Sequence, residues 1–111
     1  MELSRRTTDA YCLVHFGIND EFRTSTVFRN LNPVWEGAKF QFENIDDELL
    51  QETPLIIKVM DEDRITSDDL IGQVIVDLSW LLSRYGSGRT MKGWLPIFNQ
   101  GGGIRGELEV E

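Results

Sequence analysis

"IIKVMDEDRITSDDLIGQVIVDL" runs from Ile56 to Leu78 and is most polar in its middle. Both flanks are rich in Ile, Val and Leu, the residues that suit the interior strands of a sheet. Between them, five carboxylates fall within nine positions, from Asp61 to Asp69. The stretch therefore reads as strand, acidic loop, strand. Like charges packed this closely repel one another. Either water solvates an incidental cluster, or a cation sits among the carboxylates.

The period of two continues on both sides of this stretch. "AYCLVHFG" (Ala10–Gly17) sets Cys12, Val14 and Phe16 against Tyr11, Leu13 and His15, and "GIND" supplies a turn before "FRTSTVF" (Phe22–Phe28). "AKFQFEN" (38–44) places Phe40 and Phe42 on one face. With Pro54–Asp61, Leu70–Leu78, Met91–Phe98 and Ile104–Glu111, seven short strands are predicted. That spacing of strands and turns points to an all-β antiparallel sandwich. Two segments depart from it. "IDDELLQET" (45–53) can form one helical turn, and "DLSWLLSRYG" predicts a short helical insertion near residues 78–84.

A chain of 111 residues forms one domain with a modest core, and its 41% hydrophobic content opposes disorder. No apolar run reaches the roughly 18 residues of a membrane span. The N-terminal "MELSRRTTDAY" lacks the apolar core of a secretory signal, and the single Cys12 cannot form an internal disulfide. These features lead us to expect a cytoplasmic, soluble domain. The net charge of −8, from 11 cations and 19 anions, opposes nucleic-acid binding, which depends on Lys and Arg displacing counterions. It also opposes anionic lipid unless something reverses the sign locally.

Asp61, Asp63 and Asp69 stand at the spacing D-x-D-x5-D, on a loop that leaves and re-enters a sheet. Such a loop can bring three carboxylates around one point, with Thr66 and the Glu62 carbonyl as further oxygens. Calcium takes six to eight oxygen ligands. The segment is not an EF-hand: Ile65 occupies its third ligand position, the turn glycine is absent and the flanks are strands. On spacing alone, a solvated acidic turn and a calcium loop weigh about equally.

Four segments tip that balance. "FRTSTVFRNLNPVWEGAKFQF", with Leu31, Asn32, Pro33 and Trp35, resembles the Leu-Asn-Pro-x-Trp region of C2 domains, where Asn-Pro fixes a turn and Trp packs between the sheets. The opening stretch resembles the third calcium loop of that family and its flanking strands, including the Ile71-Gly72 pair. "TDAYCLVHFG" is similar to the family's Asp-Pro-Tyr segment, with Ala10 in place of proline, and "GWLPIF…GIRGELEV" to its last two strands. The resemblance covers about residues 8–111 and implies a C2-like Greek-key β-sandwich over 9–111 after an N-terminal segment, 1–8, with no order of its own.

Carried over position by position, the resemblance implies Asp9, Asp61, Asp63 and Asp69 as calcium ligands, with Thr66 where a serine ligand is common and the Glu62 carbonyl beside them. It implies that Arg64 and Ile65 form a basic–apolar tip that touches lipid headgroups. A second first-loop aspartate is missing, since Leu3 stands there, and so is the family's first strand. An absent strand would leave unpaired backbone. Three outcomes are open: the last strand shifts inward in compensation, another chain donates a strand, or the piece folds poorly.

Two functions from different classes follow. One is calcium-regulated binding of anionic phospholipid at a cytoplasmic membrane face. The other is a calcium-independent protein-interaction module, self-associating or completed by a partner's strand. An enzyme is not expected. His15 is the only histidine, and Cys12 lies on the opposite strand face, so no nucleophile and base come together. Trp35, Trp80 and Trp94 read as packing residues, and the RNLNP–Lys39 region as at most a weak basic patch.

Overall fold

The computed structural model describes residues 2–3, 8–17, 21–42, 46–79 and 93–110. Along the chain run β1 (Glu2–Leu3), β2 (Ala10–Phe16), β3 (Phe22–Arg23), α1 (Asp47–Glu52), β4 (Leu55–Asp61), β5 (Asp69–Val76), β6 (Gly93–Phe98) and β7 (Ile104–Val110). All these strand pairs are antiparallel, in the order β1-β7-β6-β5-β4-β2-β3. The ladder nearly breaks between β5 and β6, where the one register pair among the described residues is Gln73 with Phe98. It folds there into two layers, β3-β2-β4-β5 and β6-β7-β1.

Alternation along the strands fills the space between the layers. Cys12 and Val14 from β2, Ile57 and Val59 from β4, and Ile71, Val74 and Val76 from β5 share one cluster with Ile97 of β6 and Leu108 of β7. Phe16 is almost wholly buried at the end of the same face of β2. Gly72 stands at the fold between layers. A Cβ there would lie 2.6 Å from Ile97 Cγ2 and 2.8 Å from the Phe98 carbonyl oxygen, so the strands cross this closely only over a glycine.

The Asn-Pro turn forms as the sequence implies. The Asn30 carboxamide oxygen accepts the Asn32 N–H at 2.8 Å, Pro33 is fully buried, and Trp35 Nε1 donates to the Ala10 carbonyl at 3.2 Å. Asp46 caps α1, accepting the Leu49 N–H at 2.8 Å.

Several expectations are corrected. Residues 38–42 form no strand: Phe40 and Phe42 pack as ring contacts on Phe22 at 5.3 and 5.1 Å, without a backbone ladder. The strand expected over 22–28 shortens to two residues plus a bridge from Val27 to Ala10. The N-terminal segment is not wholly without order, because Glu2 and Leu3 pair with Glu107 and Gly106 at the free edge of β7. An open edge offers backbone partners even to a sequence with little strand propensity of its own. Trp94 is half exposed on β6, so core packing does not account for it. The helical insertion near 78–84 and Trp80 fall almost entirely outside the described residues.

Cys12 is a core thiol. Burial pushes its pKa from 9.0 up to about 12, and burial together with the Asp68 carboxylate pushes the Tyr11 phenol from 10.0 up to about 12. Both groups stabilise the fold fully below their unfolded values. That stability is lost as pH rises through the window from about 9 to 12, where the unfolded chain ionises first. Melting temperature is expected to fall across this window. At pH 8, Cys12 is expected to resist a thiol reagent in the native protein and to react within minutes in denaturant.

Candidate metal centre and loop tip

Asp9 precedes β2, Asp61 ends β4 and Asp69 begins β5, so three aspartates lie at one end of three neighbouring strands. The register sets Ala10 opposite Asp61, and Asp61 opposite Asp69. A bulge makes the second pairing: Val59 faces Gly72 but Met60 faces Leu70, leaving Ile71 as the extra residue. Without it, Asp61 would face Leu70. Bulges commonly re-aim side chains beside functional sites. The Asp9 N–H donates to Asp61 Oδ1 at 3.1 Å, and the Glu62 N–H donates to the Asp9 carbonyl at 2.8 Å.

The other predicted ligands are engaged elsewhere, Asp63 and Thr66 with each other and Asp9 and Glu62 with neighbouring segments. Asp63 Oδ1 accepts the N–H groups of Ile65 at 2.8 Å and Thr66 at 3.1 Å, while Oδ2 accepts the Thr66 hydroxyl at 2.8 Å. Those bonds, led by the Ile65 N–H, lower the Asp63 pKa below its usual value. Asp9 Oδ1 accepts the Arg29 N–H at 2.7 Å, in a turn where Arg29 takes a φ of 50°. The Glu62 carboxylate turns away from the loop, reaching Arg23 Nη2 at 2.9 Å and the Thr26 hydroxyl at 3.4 Å. Among the described residues, no three His, Cys, Asp or Glu side chains converge closely enough to hold a metal ion.

Every donor at this end is nevertheless an oxygen, the chemistry of a hard dication such as calcium. In donor type the set fits that ion. In position it brings Asp61 and Asp69 together with Asp9 beside them, and it leaves Asp63 folded back on its own turn.

Arg64 and Ile65 form the exposed tip, Ile65 with 94% of its surface open. Phe28, read from the sequence as the end of a strand, instead stands half exposed on the neighbouring loop. The Arg64 guanidinium carbon lies 5.9 Å from its ring centroid. An aromatic just before the RNLNP turn was the available signal. Asp68 was missed as well: its Oδ2 accepts the Tyr11 hydroxyl and its Oδ1 accepts the Asp63 N–H at 2.9 Å.

No helix among the described residues is long and apolar enough to cross a membrane. The C2 domain family model matches residues 1–97. The chain is 42% identical to human C2 domain-containing protein 5 over 111 residues, covering 99% of this chain but 11% of that protein. It is 40% identical to human synaptotagmin-7 over 78 residues, 67% of this chain and 18% of that one. The chain thus spans about a tenth of the length of the curated relatives it matches over its whole extent. Among solved structures, a C2 domain of plant extended synaptotagmin 1 overlays with a TM-score of 0.72 at 20% identity, covering 92% of this chain and 73% of that one. A C2 domain of Drosophila RIM overlays at 0.61 with 29% identity, over 69% and 67% of the two chains. With its antiparallel sandwich and its Leu-Asn-Pro-x-Trp turn, the chain belongs to the C2 domain family.

Proposed function

We propose that this C2 domain binds anionic phospholipid membranes under the control of calcium, as a peripheral, non-catalytic module. The observation that carries the reading is the cross-strand pair Asp61–Asp69, with Asp9 next to it. Like charges placed directly opposite on neighbouring strands destabilise a sheet. Here a bulge brings about that pairing. Asp61, Asp69 and Asp9 supply carboxylates from three strand ends, and Asp63 and Thr66 join them once their mutual hydrogen bonds open. The Glu62 carbonyl lies on the same loop, while the Glu62 side chain is committed to Arg23.

Bound calcium would supply positive charge at this end and coordination positions for lipid phosphate and carboxylate oxygens. The chain's own contribution is the tip. Arg64 offers a cation to phosphate, and Ile65 and Phe28 offer apolar surface to the interface. Each apolar side chain contributes about 1.5–3 kcal/mol if fully desolvated. Two such anchors are too few to hold a domain of charge −8 on an anionic surface unaided.

Co-sedimentation with phosphatidylserine–phosphatidylcholine vesicles tests the reading. Protein is expected in the pellet with millimolar calcium and in the supernatant with chelator. Equal distribution in both buffers contradicts it.

A second reading is favoured by a different observation. β1 covers only Gly106 and Glu107 of β7, so among the described residues most of that strand's outer edge has no partner. A calcium-independent interaction module, completed by another chain or a second copy, would use that edge. Light scattering in chelator separates this reading, which predicts a dimer or complex, from the first, which predicts a monomer.

A further inference from the structure

The loop over residues 62–68 is tied at both ends to the β2–β3 hairpin. At its start, Glu62 meets Arg23 Nη2 at 2.9 Å and Thr26 Oγ1 at 3.4 Å. At its end, Asp68 receives the Tyr11 hydroxyl. The two tethers are themselves joined, because the Arg23 guanidinium carbon lies 3.7 Å from the centroid of the Tyr11 ring. Asp68 then passes the restraint inward, its second oxygen accepting the Asp63 N–H at 2.9 Å, and Asp63 in turn holds Ile65 and Thr66. Tyr11 is buried on the face of β2 away from the core cluster, so core packing does not account for it.

We propose that Tyr11 and Arg23 form one brace that positions the acidic loop, fixing Asp63 relative to the strand-end aspartates Asp61 and Asp69. They are positioning residues: neither belongs to the proposed ligand set, and each acts through a carboxylate on the loop. With its backbone held in place, the loop loses less conformational freedom on binding, and only the Asp63 side chain has to leave its turn. The functional consequence rests on the calcium reading; the mechanical one does not.

Tyr11→Phe removes the hydroxyl and leaves the ring beneath Arg23. Two readouts in the 111-residue chain test the brace: exchange of the Asp63, Ile65 and Thr66 amides with water in chelator, followed by NMR, and calcium titration by calorimetry. Losing one hydrogen bond to a charged acceptor is expected to speed those exchanges and weaken calcium binding by about tenfold each. Melting temperature in chelator is expected to stay within a few degrees of wild type. Asp68→Ala removes the same bond from its other side together with the acceptor of the Asp63 N–H, so its exchange is expected to be at least as fast as in Tyr11→Phe, and adding Tyr11→Phe to it should speed exchange no further.

Unchanged amide exchange in Tyr11→Phe overturns the brace. So does a loss of calcium affinity matched by a general loss of stability, which marks a merely structural tyrosine. If the wild-type chain releases no heat with calcium, the calcium reading fails, and the exchange arm alone still decides whether the brace exists.

Discussion

Asp61→Asn combined with Asp69→Asn is expected to abolish the proposed calcium-dependent vesicle binding while raising, or leaving unchanged, the melting temperature in chelator. The two effects have opposite signs because the carboxylates play opposite parts in the two states. Without a cation they face each other across neighbouring strands and repel. Neutral amides relieve that repulsion and occupy the same volume. With a dication present, the same charges are the main attraction. At about 4 Å and an effective dielectric near 20, a dication and one carboxylate attract by roughly 8 kcal/mol before desolvation is subtracted. A small surviving fraction of that exceeds the roughly 1.4 kcal/mol that makes a tenfold change in affinity. Sedimentation of the double variant with phosphatidylserine vesicles, beside thermal melts in chelator, checks both halves. Loss of binding together with a lower melting temperature would mean that the aspartates build the fold and not the site.

Phe16→Ala has the largest expected effect on stability. Phe16 is 2% exposed, and its ring centroid lies 5.8 Å from that of Phe42 in a tilted arrangement. Phe42 also meets Phe22 edge-on at 5.1 Å, so Phe16 supports the aromatic group that replaces a backbone ladder over residues 38–42. Truncating a buried Phe to Ala costs about 3–5 kcal/mol, against a total of about 5–15 for a domain of this kind. The variant is expected to lose at least about a fifth of its denaturant midpoint in urea, or to fail to fold. A midpoint near wild type would show that the irregular 38–42 segment is held by something other than these rings.

Most of the strands were legible because their side chains alternate and their partners lie on both sides. The spans of β2, β4, β5, β6 and β7 match the predicted ones to within two residues at each end. The segment with Phe40 and Phe42 was misread for a physical reason: period-two alternation reports which side chains are buried, and burial can come from ring contacts alone. β1 was invisible because Glu2 and Leu3 carry no strand signal, and their pairing is set by the edge of β7.

The site divides in the same way. The D-x-D-x5-D spacing pointed to carboxylates around one point; the structure places Asp61, Asp69 and Asp9 at neighbouring strand ends, and among the described residues no three such side chains converge. It could not announce the bulge at Ile71, since that extra residue looks like any other member of an apolar strand. Nor could spacing show that Asp63 is spent on Ile65 and Thr66, or that Asp68 answers to Tyr11 across 57 positions of sequence. Phe28 escaped because a strand was assumed to continue through it.

Thermal unfolding of the 111-residue chain, in millimolar calcium and again in chelator, tests the central claim most directly. A ligand at about 100 times its dissociation constant stabilises a fold by roughly 2.7 kcal/mol, which raises the melting temperature of a domain this size by several degrees. One cooperative transition is expected in each buffer, higher in calcium, with the difference removed by Asp61→Asn and Asp69→Asn. Identical cooperative transitions in the two buffers would contradict it, and the acidic loop would then be a solvated turn on an interaction module.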